Sequence, residues 1–303
     1  MSELVLHHFD ISPFGEKARL ALGLKGADWQ SVQIPLVMPK PDLTALTGGY
    51  RKTPVLQVGA DIYCDTRRIA LELERRHAGP SLFPAGPGHA LALAHWSDAT
   101  LFQPGAGLSL GTNEGLPEDI LEDRMAFFDF LDRETLPAEL PHYFAQFRSN
   151  LGLIETMLAD GRPWLQGDHP GWADIACYTP VWMCRGNIQG SDALLAPLER
   201  LCAWEQRVAG LGHGQRRELD AEDALAMARQ FASTAVEEIA DGAHPSLNVG
   251  DAISVTPQDY GKDAVTGELV RLTHDEIALR REDQRAGEVV VHFPRAGYRV
   301  EAL

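Results

Sequence analysis

The chain has 303 residues, and its 27 Lys and Arg against 43 Asp and Glu give a formal net charge of −16. Hydrophobic residues make up 45% and charged residues 23%, which is typical of a globular protein and argues against a largely disordered chain. The acidic balance disfavours general nucleic-acid binding, and no apolar stretch approaches the roughly 20 residues that a membrane span needs.

The first part of the chain, residues 1–80, predicts a four-stranded mixed sheet with helices on its faces. Its elements are a strand at 4–9, a helix from Ser12-Pro13 to Gly26, a strand at 29–34, a short helix at 43–47, strands at 54–58 and 61–64, and a helix at 67–77. Serine is a preferred N-cap and proline suits the first helical position, so the first helix has a clear start. The short link at Gly59-Ala60 predicts an antiparallel hairpin.

Residues 78–90 are rich in Gly and Pro and predict a linker to a second part, an all-α bundle at 88–243. Helical periodicity is expected at 90–102, 117–135, 141–159, 172–186, 192–209 and 221–240. After residue 245 the pattern changes to five short strands, at 251–256, 267–273, 276–281, 288–293 and 297–300. These predict a small all-β, barrel-like third domain at 245–303.

Cysteine and histidine usage indicates no metal site and no disulfide framework. The four cysteines are Cys64, Cys177, Cys184 and Cys202, none in a CxxC spacing, and the eleven histidines form no ligand motif. The first ten residues lack the basic cluster and apolar run of a signal peptide. We therefore expect a cytoplasmic protein with reduced thiols.

Three features of the first part are expected to meet at one edge of the sheet, because strand ends in open α/β sheets converge where ligands bind. They are the helix start at Ser12, the loop before Pro54, and the helix start at Asp65-Thr66. Helix N-termini favour anions. A hydroxyl at the first of them would stabilise a thiolate by a hydrogen bond, and the Asp65 carboxylate would receive an ammonium group.

The sequence resembles the glutathione transferase superfamily in its serine-type, bacterial form, with an additional β-module. Four stretches carry the resemblance: SPFGEKAR at 12–19 is similar to the active-site segment, KTPVL at 52–56 to the cis-proline segment, DTRRIA at 65–70 to the Glu/Gln-Ser element, and GDHPGWAD at 167–174 to the capping segment of the buried helix. The resemblance implies a thioredoxin-like first domain, a homodimer, and glutathione as co-substrate without a metal.

The roles that the resemblance implies are assigned position by position. Ser12 would activate the thiol of glutathione, the backbone of Thr53 before a cis Pro54 would pair with the peptide, and Asp65 with Thr66 would hold the γ-glutamyl group. Other residues expected to contact glutathione are Phe14 and, as candidates for its glycine carboxylate, Lys40, Arg51 and Lys52. Asp174 would be structural. An apolar electrophile is the expected second substrate.

Some positions depart from the family pattern or have a plainer interpretation. Asp65-Thr66 replaces the usual acid and serine, and Gly171 stands where a Ser or Thr cap is common, which predicts a weaker capping box. Ser12, Asp65 and Thr66 are also sufficient as ordinary helix caps. Aromatic residues of the helical part could line an electrophile pocket but are more often core: Trp96, Phe102, Tyr143, Phe144, Trp172 and Trp182.

Three functions follow. The first is a glutathione transferase that adds the glutathione thiolate to an electrophile. The second is a non-catalytic binding or interaction protein whose C-terminal barrel recruits a partner. The third is a thiol–disulfide oxidoreductase, which would need a reactive Cys64 because Ser12 stands at the helix start; a buried, inert Cys64 is the favoured alternative.

Overall fold

The computed structural model describes residues 3–303. Contacts divide the chain into two compact units. We call the first the sheet unit; it comprises the residues up to Gly15, Asp28–Glu72 and Gln215–Leu303. We call the second the helical unit; it comprises Glu16–Ala27 and Leu73–Gly214.

The first elements of the chain follow the predicted order of strands and helices. They are β1 (Leu4–His8), α1 (Pro13–Leu24), β2 (Asp28–Gln33), α2 (Pro41–Thr47), β3 (Val55–Val58), β4 (Asp61–Cys64) and α3 (Thr66–Arg76). Strand β1 pairs in parallel with β2 and antiparallel with β3, and β3 pairs antiparallel with β4. The thioredoxin-like mixed sheet is therefore confirmed.

The middle of the chain is helical. It contains α4 (Pro87–Trp96), a π-helical turn (Ser97–Leu101), α5 (Phe102–Thr112), α6 (Glu118–Phe127), α7 (Leu136–Met157), α8 (Trp172–Asn187), α9 (Ser191–Leu195) and α10 (Glu199–Ala209). Helix α8 is buried along most of its length, so it forms the centre of the helical unit. Among the described residues, no helix combines the length and apolarity that a membrane crossing requires.

The last part of the chain returns to the sheet. It contains β5 (Gln215–Glu218), α11 (Ala221–Gln230), β6 (Glu238–Ile239), β7 (Ala252–Pro257), β8 (Val265–Leu272), β9 (Glu276–Asp283), β10 (Gly287–Pro294) and β11 (Tyr298–Ala302). The five strands expected after residue 245 are present as β7–β11, which we call the C-terminal β-module. The helix expected at 221–240 ends at Gln230, and 231–237 form neither a helix nor a strand.

The C-terminal β-module continues the thioredoxin-like sheet. Strand β10 pairs in parallel with β4, with Val290 opposite Asp61 and His292 opposite Tyr63. Within the described residues the strand order is β11-β7-β8-β9-β10-β4-β3-β1-β2-β5, with β6 beside β8. The sequence predicts the module as a separate domain at 245–303; the limits 1–80, 88–243 and 245–303 remain predictions.

One hydrophobic core serves both parts of the sheet unit. Val55, Ile62 and Cys64 of the thioredoxin-like strands belong to the same buried cluster as Ile277, Val291 and many other residues of the module. Helix α11 adds a buried face to this cluster. It therefore packs in the sheet unit, although its periodicity alone suggested a place in the helical bundle.

A buried polar cluster joins β4 to β10. The Asp61 carboxylate accepts hydrogen bonds from Thr234 N–H (2.9 Å) and Oγ1 (2.6 Å) and from the Ser233 hydroxyl. His292 lies between two carboxylates, with Nε2 3.2 Å from Asp61 Oδ1 and Nδ1 2.7 Å from Glu276 Oε1. These contacts satisfy polar groups that burial would otherwise make costly.

Candidate functional site

The strand register brings the three predicted site segments to one edge of the sheet. Val55 is opposite His7 of β1 and opposite Cys64 of β4. Because β3 runs antiparallel to both strands, its beginning lies beside their ends. The segment that leads from β1 to Ser12, the Pro54 peptide and the start of α3 at Asp65 therefore leave the sheet at the same edge, as the sequence predicts.

Ser12 caps helix α1. Its Oγ accepts a hydrogen bond from Gly15 N–H at 3.0 Å, and its own N–H donates to Phe9 O. The residue is 3% exposed. A hydroxyl carries one donor hydrogen and two acceptor lone pairs. The cap occupies one lone pair and leaves the donor hydrogen for another group, so the structural and the catalytic roles are compatible.

The loop before β3 contains the predicted cis peptide bond, between Thr53 and Pro54, and this prediction is confirmed. A second cis bond, Met38-Pro39, was not predicted. Thr53 is half-buried. Lys52 is engaged within the sheet unit: its ammonium group pairs with the Asp259 carboxylate and lies 4.3 Å from the centroid of the Tyr260 ring. Lys52 is therefore held by the C-terminal β-module.

Asp65 begins helix α3 with a backbone φ of +75°, a conformation that non-glycine residues rarely adopt. Its Oδ1 accepts a hydrogen bond from Arg67 N–H at 2.8 Å, and its Oδ2 accepts one from the Tyr298 hydroxyl at 2.9 Å. Asp65 is half-buried and Thr66 is buried. Unfavourable φ values of this kind cluster at ligand sites, where surrounding contacts maintain them.

Two further predicted glutathione contacts lie near this edge. Lys40 precedes α2 and is buried, with its ammonium group 5.2 Å from the centroid of the Phe9 ring. Phe9 directly follows β1 in the chain, so Lys40 is close to the strand end that leads to Ser12. Phe14 is half-buried in the first turn of α1. Lys40 is thus one of the predicted cations that the fold places near this strand end.

Asp174 organises the start of helix α8 in the helical unit. Its carboxylate accepts hydrogen bonds from Leu165 N–H (2.8 Å), Gly171 N–H (3.0 Å) and Trp204 Nε1–H (2.8 Å). Burial raises the pKa of this carboxyl group, although the three hydrogen bonds act to lower it. These contacts hold a loop and two helices together.

The glycine at position 171 has a packing reason. A Cβ atom there would lie 2.8 Å from Pro84 Cδ and 3.0 Å from Leu82 O. Trp172 N–H donates to Leu82 O at 2.6 Å, so this chain segment is held close. The side chain that is common at this cap position in the family has no room here, and Asp174 alone completes the cap.

Cys64 and Cys184 do not support thiol chemistry in the protein itself. Cys64 is fully buried, and burial together with the nearby Asp65 charge raises the pKa of its thiol well above the ordinary value. Burial likewise raises the pKa of Cys184 to about 12. A thiol in such surroundings stays protonated and unreactive. Across residues 3–303, no group of His, Cys, Asp and Glu side chains is arranged to hold a metal ion.

Three residues at this edge were not found by sequence reasoning: Tyr50, Tyr298 and Asp259. Tyr50 and Tyr298 are buried, with their hydroxyl oxygens 2.8 Å apart, and Tyr298 contacts Asp65. Their separation of 248 positions gives no local pattern. The alternation of Tyr298 and Val300 predicts which face of the strand is buried, but it does not predict which residues that face contacts.

Comparisons with known proteins agree with these observations. The family model for the glutathione S-transferase N-terminal domain matches residues 6–81, and the model for the C-terminal domain matches residues 137–207. The crystal structure of a GST-like protein from Pseudomonas syringae is 38% identical, covers 100% of both chains and has a TM-score of 0.79. This similarity includes the C-terminal β-module.

Two curated proteins show more distant similarity. The probable glutathione S-transferase BZ2 of Zea mays is 27% identical over 239 residues, which are 73% of this chain and 92% of that protein. FtsZ-localized protein A of Caulobacter vibrioides is 28% identical over 180 residues, which are 57% of this chain and 74% of that protein. One relative is named for a reaction and the other for a place in the cell.

Proposed function

This chain belongs to the glutathione transferase superfamily, and on that premise we propose that it binds glutathione and transfers its thiolate to an apolar electrophile. The observation that carries the proposal is the register of β1, β3 and β4, which brings a helix-capping hydroxyl and a carboxylate to one edge of the sheet. A tripeptide with a thiol and an α-ammonium group has partners for both at that edge.

In the proposed mechanism the Ser12 hydroxyl donates a hydrogen bond to the sulfur of glutathione. Stabilising the charged form of a thiol lowers its pKa, and the thiolate is the nucleophile. The N-terminus of α1 adds a favourable partial positive charge. The thiolate then forms a bond to the electrophilic carbon, the leaving group departs with its electron pair, and the thiol proton goes to solvent.

The remaining predicted residues would hold the tripeptide. The Asp65 carboxylate receives the α-ammonium group of the γ-glutamyl residue, and the backbone of Thr53 pairs with the cysteinyl backbone. Lys40, beside Phe9 after β1, and Lys52, next to the Thr53-Pro54 peptide, are the candidates for the glycine carboxylate. Binding energy used for such positioning lowers the barrier by fixing the thiolate near its target.

The test is the Ser12→Ala variant with a generic aryl halide and glutathione. We expect the rate constant of conjugation to fall while glutathione binding, measured by calorimetry, persists. Loss of a single donor of this type typically reduces turnover by about a hundredfold or more. An unchanged rate would show that Ser12 only caps the helix, and absence of glutathione binding by the wild-type protein would refute the proposal.

A second function, a binding or interaction protein on the same fold, is supported by the similarity to FtsZ-localized protein A. Glutathione binding without turnover on any of a panel of electrophiles is the result that favours it. In either case we propose a cytoplasmic homodimer. Such a dimer would not pair through the edge of β4, because β10 occupies that edge within the chain.

A further inference from the structure

The C-terminal β-module places one of its own side chains on the carboxylate that is proposed to bind glutathione. Tyr298, the first residue of β11, donates its hydroxyl hydrogen to Asp65 Oδ2 at 2.9 Å. Tyr298 is 3% exposed and packs against the ring of Phe293, with centroids 5.5 Å apart. Its main-chain oxygen accepts a hydrogen bond from Arg295. The Tyr298 hydroxyl is therefore fixed in position, because contacts hold both the ring and the backbone of this residue.

The hydrogen bonds of this group have a fixed direction. An ionised carboxylate only accepts, so the Tyr298 hydroxyl must donate to Asp65. Its oxygen can then only accept from the Tyr50 hydroxyl, 2.8 Å away. The chain runs from Tyr50 through Tyr298 to Asp65, and burial followed by the Asp65 charge raises the pKa of Tyr298 well above the ordinary value. Both tyrosines therefore stay protonated.

Asp65 keeps room for a ligand while it holds these bonds. A carboxylate has about four acceptor positions, and two are occupied, by Arg67 N–H and by the Tyr298 hydroxyl. The side chain is half-buried and thus partly open to solvent. The two bonds fix the plane of the carboxylate, which determines where a third donor must stand.

We propose that Tyr298 is a positioning residue for glutathione, which orients the Asp65 carboxylate toward the α-ammonium group of the γ-glutamyl residue, so that the C-terminal β-module is a working part of the binding site. This inference rests on the proposed function. A second contact shows that the module also reaches the neighbouring loop: Asp259 and Tyr260 hold Lys52, next to the Thr53-Pro54 peptide. The module thus contacts two of the three segments expected to bind the tripeptide, the loop before Pro54 and the start of α3.

The experiment compares two ligands and two matched variants by calorimetry. The ligands are glutathione and its deamino analogue, in which a glutaryl group replaces the γ-glutamyl group and the ammonium is absent. Tyr298→Phe removes the hydroxyl on Asp65, whereas Tyr50→Phe removes one hydroxyl from the same buried group without touching Asp65. We expect Tyr298→Phe to weaken glutathione about tenfold and the analogue by less than about twofold, the size expected for one charge-assisted hydrogen bond.

The ratio of the two affinities separates positioning from general damage. Tyr50→Phe should keep a ratio close to that of the wild type, even if it lowers stability. In an Asp65→Asn background, Tyr298→Phe should have no further effect on the ratio, because its partner charge is gone. The comparison remains valid if Tyr298→Phe lowers the fraction of folded protein. Binding of the deamino analogue then measures the general loss of binding, which the ratio of the two affinities removes.

Each result decides between the proposals. Equal weakening of both ligands by Tyr298→Phe, an unchanged ratio, or tighter glutathione binding would overturn the positioning role while leaving the proposed function intact. If the wild-type protein binds neither ligand, the proposed function fails and this inference fails with it. A selective loss for glutathione that disappears in the Asp65→Asn background supports the inference.

Discussion

Replacing Asp61 by Asn tests the buried cluster that holds the C-terminal β-module to β4. Asp61 is 1% exposed and its carboxylate contacts Ser233, Thr234 and His292. The substitution keeps the shape of the side chain but removes its charge. We expect the pairing of β4 with β10 to weaken while the fold is retained.

The magnitude follows from the pKa of Asp61. Burial would raise this pKa, but the hydrogen bond and charge of His292 and the hydroxyls of Ser233 and Thr234 lower it from 3.8 to about 2. At about 1.4 kcal/mol for each unit, the ionised form contributes about 2–3 kcal/mol. The opening equilibrium of the β4–β10 pair should therefore increase roughly thirty- to a hundredfold at pH 7.

The effect depends on pH in a definite direction. Because the folded pKa of Asp61 is depressed, its contribution is complete above pH 3.8 and is lost as pH falls through about 2. The ratio of the β4–β10 opening equilibrium in the variant to that in the wild type should therefore shrink to about tenfold at pH 3. His292 behaves oppositely: burial lowers its pKa, but Asp61 and Glu276 outweigh burial and raise it. The contribution of protonated His292 to stability is complete below pH 6.5 and is lost as the pH rises through the raised pKa of the folded state.

Amide hydrogen exchange provides the measurement. The Val290 amide donates to Ala60 O at 3.0 Å across the joined strands, so its exchange reports their separation. Glu288→Gln is the control, because Glu288 lies on β10 and its side chain is 66% exposed. We expect that variant to exchange like the wild type. Protection at Val290 that is unchanged in Asp61→Asn, or a loss that does not diminish at pH 3, would refute the reasoning.

Three further predictions concern the helical unit and the predicted glutathione loop. Gly171→Ala should lower the free energy of unfolding by about 1–3 kcal/mol, because the new methyl group meets Pro84; thermal unfolding with an unchanged midpoint would contradict this. Asp174→Asn should lower the free energy of unfolding by about 1.5–3 kcal/mol, because at least one of its three N–H donors loses a charged acceptor in a buried site; denaturant unfolding measures it. Asp259→Asn should release Lys52 and tighten glutathione binding by a few-fold, about the worth of an exposed ion pair; glutathione monoethyl ester, whose glycine carboxylate is blocked, should show no such gain.

Local patterns were sufficient for most elements of the fold. The Ser12-Pro13 start of α1, the hairpin β3–β4 and the five C-terminal strands are each encoded by residues close in sequence: a cap, a short turn, or alternation. Helix α11 was predicted too long, because the Ala and Glu residues after Gln230 favour a helix in isolation. There an irregular segment brings Ser233 and Thr234 to Asp61, and this tertiary contact overrides helix propensity.

The joining of the C-terminal β-module to the sheet could not be read from the sequence. Strand β4, with the sequence DIYC, has an acid at its first position and resembles an exposed edge. The acid is Asp61, and its partner His292 lies 231 positions further along the chain. No local sequence pattern indicates that Asp61 or His292 is buried. For the same reason the sequence identified Asp65 but not Tyr298: the cap is local, and the residue that orients it is not.

The parallel pairing of β10 with β4 also bears on attempts to shorten the protein. All four residues of β4 are buried. A chain cut after α11 would leave that strand with a row of unsatisfied main-chain donors and acceptors beside exposed apolar side chains, a template for cross-strand association with other molecules. A protein shortened in this way would therefore be an aggregation-prone fragment and not a minimal version of the fold.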